Sequence, residues 1–425
     1  MTTNKLVFLL LILGISSSCE KWDELPFQQD AEGVVISMPY QWTTSLSADG
    51  ELIAGFVNSP VSAYDGNVLF SAKGIGGLSL SFMMLSGSTG QVLWEYDDFF
   101  YQQKNFFSIL NLHQHDNHLV FQEGRQFYHF DLGKGKVLQK EDRDYVVSRL
   151  RGIEDFYFIS TGFELANDGL YEGSIIAGNL NTGDSYQLLT PPFNREHPST
   201  TYNEIGVVGS ATPFRDNNSS DIYITYDYSY NTSDAVNTYV GLHNYSKREH
   251  VYEKKPLALG INSYGSSIPV VYGDKVYYAP GRSIICLDLF TGEKIWSRSF
   301  DQGFTFSGFI LAEDKILANN EDTYLYALDP ETGLQLWKEK SSGTSSRVTY
   351  MNGVVYFTGG GDGRLHAVDI ETGKHLWRIR SPDLKQNSGA WFKDVVRLIP
   401  ASEHGKKGKV LVSSYLSAFC YEAAR

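Results

Sequence analysis

The sequence predicts an all-β protein, an eight-bladed β-propeller built of four-stranded antiparallel blades and closed by its N-terminal strand. Three observations lead there. A Thr-Gly-x-x-x-Trp segment recurs at Trp94, Trp296, Trp337 and Trp377, and the last three tryptophans stand 41 and 40 residues apart, the length of one propeller blade. The 425 residues include 27 Tyr, 25 Phe and 40 Gly, a composition of strands and tight turns. Apolar residues make up 42% of the chain, enough to build a core and too many for a disordered polymer.

The N-terminus is read separately from the body. Lys5 precedes an apolar run of ten, Leu6 to Ile15, which as a helix spans about 15 Å, half the hydrocarbon thickness. Residues 1–18 therefore read as a signal peptide and not as a membrane span. Ser16-Ser17-Ser18 leading into Cys19 resembles the lipobox of bacterial lipoproteins, with Ser16 where Leu is usual. That resemblance implies a thiol carrying diacylglycerol, an N-terminal palmitate, and stable anchoring, since more than one acyl chain holds a protein on a bilayer. Residues 19–38 are acidic and lack strand alternation, so they read as a tether. Glu20, Asp23 and Glu24 also resemble the acidic stretches that send some lipoproteins to the cell surface.

The propeller is assigned to residues 39–425. Between Trp94 and Trp296 the motif survives in degenerate copies, with Gln139, Gln187 and Tyr252 at the tryptophan position. The steps are 45, 48, 65 and 44 residues, so the blade ending near Tyr252 carries an insertion of about 20. Seven closing motifs result. After Trp377 the chain offers three more strand-like runs, WFKDVVRLIP, GKVLVSS and YLSAFCYEA, and no closing strand. The missing strand is PYQWTTSL with Trp42, and its pairing with the last three closes the ring and removes an aggregation-prone edge.

The motif has a local logic. In the Trp337 copy, YLYALD is a strand, Pro330-Glu331-Thr332-Gly333 a turn and LQLWKEK the next strand. Asp329 and Thr332 can bond turn amides, and Gly333 can adopt the positive φ that a short hairpin loop requires. Trp42, Trp94, Trp296, Trp337 and Trp377 are then expected to lie flat against the neighbouring blade. These Asp-x-x-Thr-Gly-x-x-x-Trp copies, preceded by Val-Tyr-Phe and Asp-Gly-Arg-Leu-x-Ala, resemble the tryptophan-docking repeats of PQQ-like, quinoprotein-type β-propellers. The resemblance is strongest over residues ~262–380 and is specific for fold, since that fold hosts both dehydrogenases and scaffolds.

Candidate chemistry is sparse. A quinoprotein dehydrogenase resembling its family needs a vicinal Cys-Cys pair, a calcium site and a larger chain. Here the three cysteines are Cys19, Cys286 and Cys420, none adjacent to another. No catalytic residue, cofactor site or metal site is assigned. His113 and His115 share one strand face at period two, as a metal would require, with His118 just beyond. A polar strand end running into a hairpin accounts for them better, and that reading is preferred. Gly359 to Gly363 lacks the Gly-Lys-Ser/Thr of a phosphate cradle and precedes a strand, so it reads as a hairpin, as does GIGG at 74–77. In the long blade Tyr226, Tyr228 and Tyr230 alternate on one face, a pattern that suits a protein interface and that packing within a wide blade explains better.

The net charge of −13 argues against nucleic acid as a partner. The expectation is a monomeric, non-enzymatic envelope scaffold that binds other proteins through propeller loops and the membrane through Cys19. It resembles the eight-bladed lipoprotein propellers that assist outer-membrane β-barrel assembly, which implies the outer membrane of a diderm bacterium. A surface propeller binding a glycan or another ligand, and a PQQ-dependent dehydrogenase, are the alternatives.

Overall fold

The computed structural model describes residues 27–47, 59–73, 80–98, 112–123, 126–143, 147–161, 164–166, 169–171, 173–192, 205–231, 236–260, 268–304, 308–343, 346–402 and 406–425. Eight antiparallel four-stranded sheets follow one another along the chain. We number them blades one to eight from Ser59–Tyr64. Essentially no helix is present among the described residues, and none is long and apolar enough to cross a membrane.

Within a blade, burial follows strand position. First strands of several neighbouring blades touch one another, two, three and four in succession and seven, eight and one, which places them at the hub. Second and third strands have both faces covered by adjacent blades, and so lose the alternation of a one-sided sheet: every residue of Val354–Thr358 is buried. Fourth strands lie at the rim, and Lys294–Ser299 and Gln335–Lys340 alternate between exposed and half-buried. The core is accordingly a series of wedges between sheets. Leu317, Leu325 and Ala327 of blade six pack on Val355, Phe357 and Val368 of blade seven, and Leu69 and Phe82 of blade one on Phe121 and Phe130 of blade two.

Blade eight is closed as expected. Trp42–Ser45 pairs antiparallel with Ser417–Glu422, with Trp42 opposite Cys420 and Ser45 opposite Ser417, and Lys409–Ser413 and Lys393–Ile399 complete the sheet. The insertion lengthens blade four itself: its strands Ile205–Arg215, Ile222–Asn231, Val236–Asn244 and Glu249–Ala258 run nine to eleven residues. Blade three carries a feature with no sequence signature, a small hairpin of Glu164–Ala166 with Gly169–Tyr171 between its second and third strands.

The stretch read as a tether departs from that reading at its C-terminal end. Gln28–Gln29 pairs with Val35–Ser37, and Val35 lies beside Trp377 in a parallel addition to the outer strand of blade seven, His375–Arg380. Arg378 reaches Asp30 at 3.3 Å across the same seam. Cys19 and the signal peptide, like GIGG at 74–77, lie outside the described residues.

Candidate functional site

The repeated motif is a contact between blades. Asp329 Oδ1 accepts from the amide and the hydroxyl of Thr332, both at 2.8 Å, and the Gly333 amide donates to the Asp329 carbonyl at 2.8 Å. Asp288 with Thr291 and Asp369 with Thr372 repeat this geometry. Gly333 has φ +70°, and a Cβ there would lie 2.6 Å from the ring of Trp296, the indole of the preceding blade. The glycine is thus required twice, by backbone conformation and by the indole resting on it. Each indole N–H then donates to a carbonyl of the same turn: Trp42 to Gly87 at 3.2 Å, Trp94 to Leu132 at 3.1 Å, Trp296 to Pro330 and Trp337 to Ile370 at 2.9 Å. These bonds satisfy the one polar group of a side chain otherwise suited to burial.

The degenerate copies depart from the motif in different ways. Tyr252 keeps the arrangement, its hydroxyl donating to the Leu289 carbonyl at 3.2 Å beside Gly292. Gln139 lies against Gly183. Where blade four replaces the Thr-Gly turn with Tyr245-Ser246-Lys247-Arg248, the side chain before it, Gln187 of blade three, turns back to Thr190.

Trp377 differs from the other four tryptophans. Blade eight takes its third and fourth strands from opposite ends of the described chain, so no Thr-Gly turn joins them and Trp377 has none to rest on. A cavity of about 610 Å³ opens there, lined in part by Val35, Met38, Tyr40, Trp377, Lys407 and Arg425. The added strand Val35–Ser37 covers one side, and Trp377 is buried while Trp94, Trp296 and Trp337 are half-buried. Arg425 also bonds Asp369, the motif aspartate of blade seven.

The histidine pair is absorbed by a blade interface. His113 Nε2 lies 2.7 Å from the Glu154 carbonyl, and His115 Nε2 3.6 Å from Asp155, both in the first turn of blade three. Burial draws the His113 pKa down, the Glu154 carbonyl opposing it. His118 turns to His129 at 2.8 Å. Among the described residues no group of three His, Cys, Asp or Glu could hold a metal. Gly359 to Gly363 forms the hairpin between second and third strands of blade seven, with the Gly363 amide donating to Gly359.

Burial decides the tyrosine stripe for packing within the blade and against the interface role given to Tyr226 and Tyr228. Tyr226 and Tyr228 are fully enclosed, stacked with Tyr239 and packed on Phe158, Ile175 and Ala177 of blade three, so neither offers a contact surface. Tyr230 is half-buried. Alternation identified their shared face, but both faces of a middle strand are covered in this fold. Cys286 and Cys420 are buried in blades five and eight, and burial pushes both thiols up to about 12.

The exposed apolar side chains that sequence reasoning missed lie on the rim. Leu93, Leu138, Tyr186, Val251, Ile295 and Leu336 each immediately precede a docking position on a fourth strand, and all are exposed, Leu93 at 52% and Leu336 at 49%. The signal was present, one large apolar residue before each docking residue, in register with the repeat. Single exposed apolar residues need no explanation, but the same position on blade after blade makes an apolar-studded circumference. Leu376, the equivalent in blade seven, is half-buried where the N-terminal segment covers it.

A family profile described as "Outer membrane protein assembly factor BamB" matches residues 246–425, from the last strand of blade four to the end of the chain. No curated protein matches the chain. Among solved structures, BamB from Moraxella catarrhalis is similar at 11% identity and TM-score 0.54, over 94% of this chain and 100% of that one. Quinohemoprotein alcohol dehydrogenase from Comamonas testosteroni is similar at 13% identity and TM-score 0.61, over 91% and 77%. The computationally designed protein Ika8 is similar at 14% identity and TM-score 0.55, over 88% and 98%. The profile match gives residues 246–425 a PQQ-like repeat, and at such identities the solved structures speak for the β-propeller fold alone.

Proposed function

We propose, from the premise that the chain is a PQQ-like β-propeller, that it is a non-enzymatic envelope scaffold held to the outer membrane by lipid on Cys19 and binding other proteins. The observation that carries this reading is the profile match over blades five to eight, the half in which the docking motif is most regular, to a family described as an assembly factor. The rim supports it. Among the described residues the outer strands of the other blades are sheet edges, several bearing exposed aliphatic residues, and blade seven already accepts an added strand, Val35–Ser37, in the way extended peptides join sheet edges. The sequence supports it too, since no two of its cysteines are vicinal. Assistance in outer-membrane protein assembly is the specific role this reading favours.

Two measurements test it. Cys19→Ala should move the protein from the membrane fraction to the soluble periplasmic or extracellular fraction; equal membrane retention would remove the anchor. Titrating PQQ with Ca²⁺ into the purified protein should leave the thermal midpoint unchanged. A saturable rise would mark a cofactor binder and favour the dehydrogenase alternative.

A further inference from the structure

We infer that the cavity beside Trp377 is a seat for a tight, glycine-containing turn of another protein, which delivers one backbone carbonyl to the indole N–H. For the class of partner this rests on the scaffold reading; for the chemistry of the seat it rests on the other blades of the same ring. Trp42, Trp94, Trp296 and Trp337 each donate to a carbonyl of a turn in the next blade. A glycine of that turn lies against each ring: Gly90, Gly135, Gly333 and Gly373 in the same order. Trp377 lacks the turn and keeps the donors.

Blade five shows the complete arrangement. There the Trp296 indole and the Tyr277 hydroxyl, rings 6.0 Å apart, both donate to the Pro330 carbonyl, at 2.9 and 3.3 Å. Tyr356 and Trp377 hold the same two positions in blade seven. Tyr277 and Trp296 flank Cys286 across the sheet, and Tyr356 and Trp377 flank Ala367, with their rings 5.7 Å apart. Tyr356 is fully buried and Trp377 is 5% exposed. The Tyr356 hydroxyl accepts from the Ala424 amide at 3.0 Å, which leaves its own proton to give. Burial pushes its pKa up to about 12, so that proton stays in place. Among the described residues neither the Tyr356 O–H nor the Trp377 N–H has an acceptor. Buried hydroxyls and indoles ordinarily find one. Two donors that share a carbonyl in blade five thus stand ready for one in blade seven.

The space lies where that carbonyl would come from. The cavity of about 610 Å³ falls within the range of ligand sites. Tyr40 and Gln41 line one side of it and Glu422 and Ala423 another, flanking the two strands of blade eight that other blades join by the turn. Its cations are already matched, Lys407 with Glu422 at 3.6 Å and Arg425 with Asp369. The open valence is therefore a neutral acceptor, as a turn supplies, and not an anion.

The test uses the full chain in non-ionic detergent, with nitrogen-15 in its tryptophan indoles and the Trp377 signal identified by its loss in Trp377→Phe. In the free chain the Trp377 N–H should exchange with solvent roughly tenfold faster than those of Trp296 and Trp337, whose acceptors are in place. The probe is a cyclic peptide that holds Asp-Pro-Glu-Thr-Gly-Leu, residues 329–334 of this chain, in its turn. It should move the Trp377 signal saturably and slow its exchange, leaving Trp296 and Trp337 unmoved. The same peptide with valine in place of glycine should not bind. Tyr356→Phe, the milder variant, should weaken half-saturation about fivefold, the worth of one hydrogen bond. A Trp377 N–H as protected as that of Trp337 in the dilute free chain would mean that the seat is filled from within. Protection that grows with protein concentration would make the occupant a second copy. Either result, or a Trp377 signal that the peptide does not shift, overturns the seat for a partner's turn. The scaffold reading would outlive that failure, since crosslinking from the rim tests it separately.

Discussion

Trp296 and Trp337 rest on Gly333 and Gly373, glycines 37 and 36 residues downstream in the next blade, so the docking contact can be dissected one side chain at a time. Trp337→Ala removes a half-buried ring and its bond to Ile370, and should cost about 2–4 kcal/mol in urea unfolding. Gly373→Ala faces both φ +72° and an indole atom 2.8 Å from the new Cβ, and should cost about 2 kcal/mol. The double variant should cost clearly less than the sum, because the methyl group then enters vacated space; strict additivity would separate the two residues. His243 gives the pH dependence. It is buried beside His250, and burial first, then that neighbour, lowers its pKa to about 4. The folded chain thus holds it neutral while the unfolded chain protonates it below about 6.5, so its contribution is whole above that pH and falls as pH drops toward 4. The loss should be about 1 kcal/mol by pH 5, solvent screening holding it below the full shift, and His243→Gln should flatten that part of the stability profile. Cys286 and Cys420, with thiols near 12, should resist a thiol reagent at pH 8 until denaturant is added.

The decisive element is the strand Trp42–Ser45. Its side chain Trp42 is buried, bonds Gly87 of blade one and faces Cys420 in blade eight, so it joins a docking contact to ring closure. Trp42→Ala should therefore unfold faster than Trp94→Ala or Trp337→Ala in the same denaturant, with aggregation as the edge of Ser417–Glu422 opens. Equal rates would mean that closure adds nothing beyond one more docked indole. Much of this was legible in sequence. Thr-Gly-x-x-x-Trp is local, and three unmatched strands after Trp377 demanded a partner from the other terminus. What escaped depends on distant contacts. Val35–Ser37 is three residues in an acidic stretch, and its place is set by Trp377, hundreds of residues away. The extra residues before Tyr252 were countable, but their use in lengthening four strands was not. The tyrosine alternation gave a shared face and left interface and blade packing open, and only wedge packing, which covers both faces of a middle strand, decides for the second.

At the scale of the whole molecule, apolar side chains are sorted by radius. Aliphatic and aromatic wedges fill the middle, and exposed aliphatic residues stud the rim of a chain that is acidic overall. Such a ring is stiff, since each blade is held by contacts on both faces, and stiffness suits a platform that presents edges without reshaping. Binding surfaces were the least legible feature, because rim leucines gain meaning only once the ring brings equivalent positions together. The most direct test places a photo-crosslinking amino acid at Leu93, Ile295 and Leu336 in turn, in living cells, and identifies the products by mass spectrometry. The scaffold account predicts discrete adducts with other envelope proteins from at least one of these rim positions, absent when the probe replaces buried Tyr228. Rim probes that capture nothing but water, alongside a saturable PQQ response in the purified protein, would contradict it.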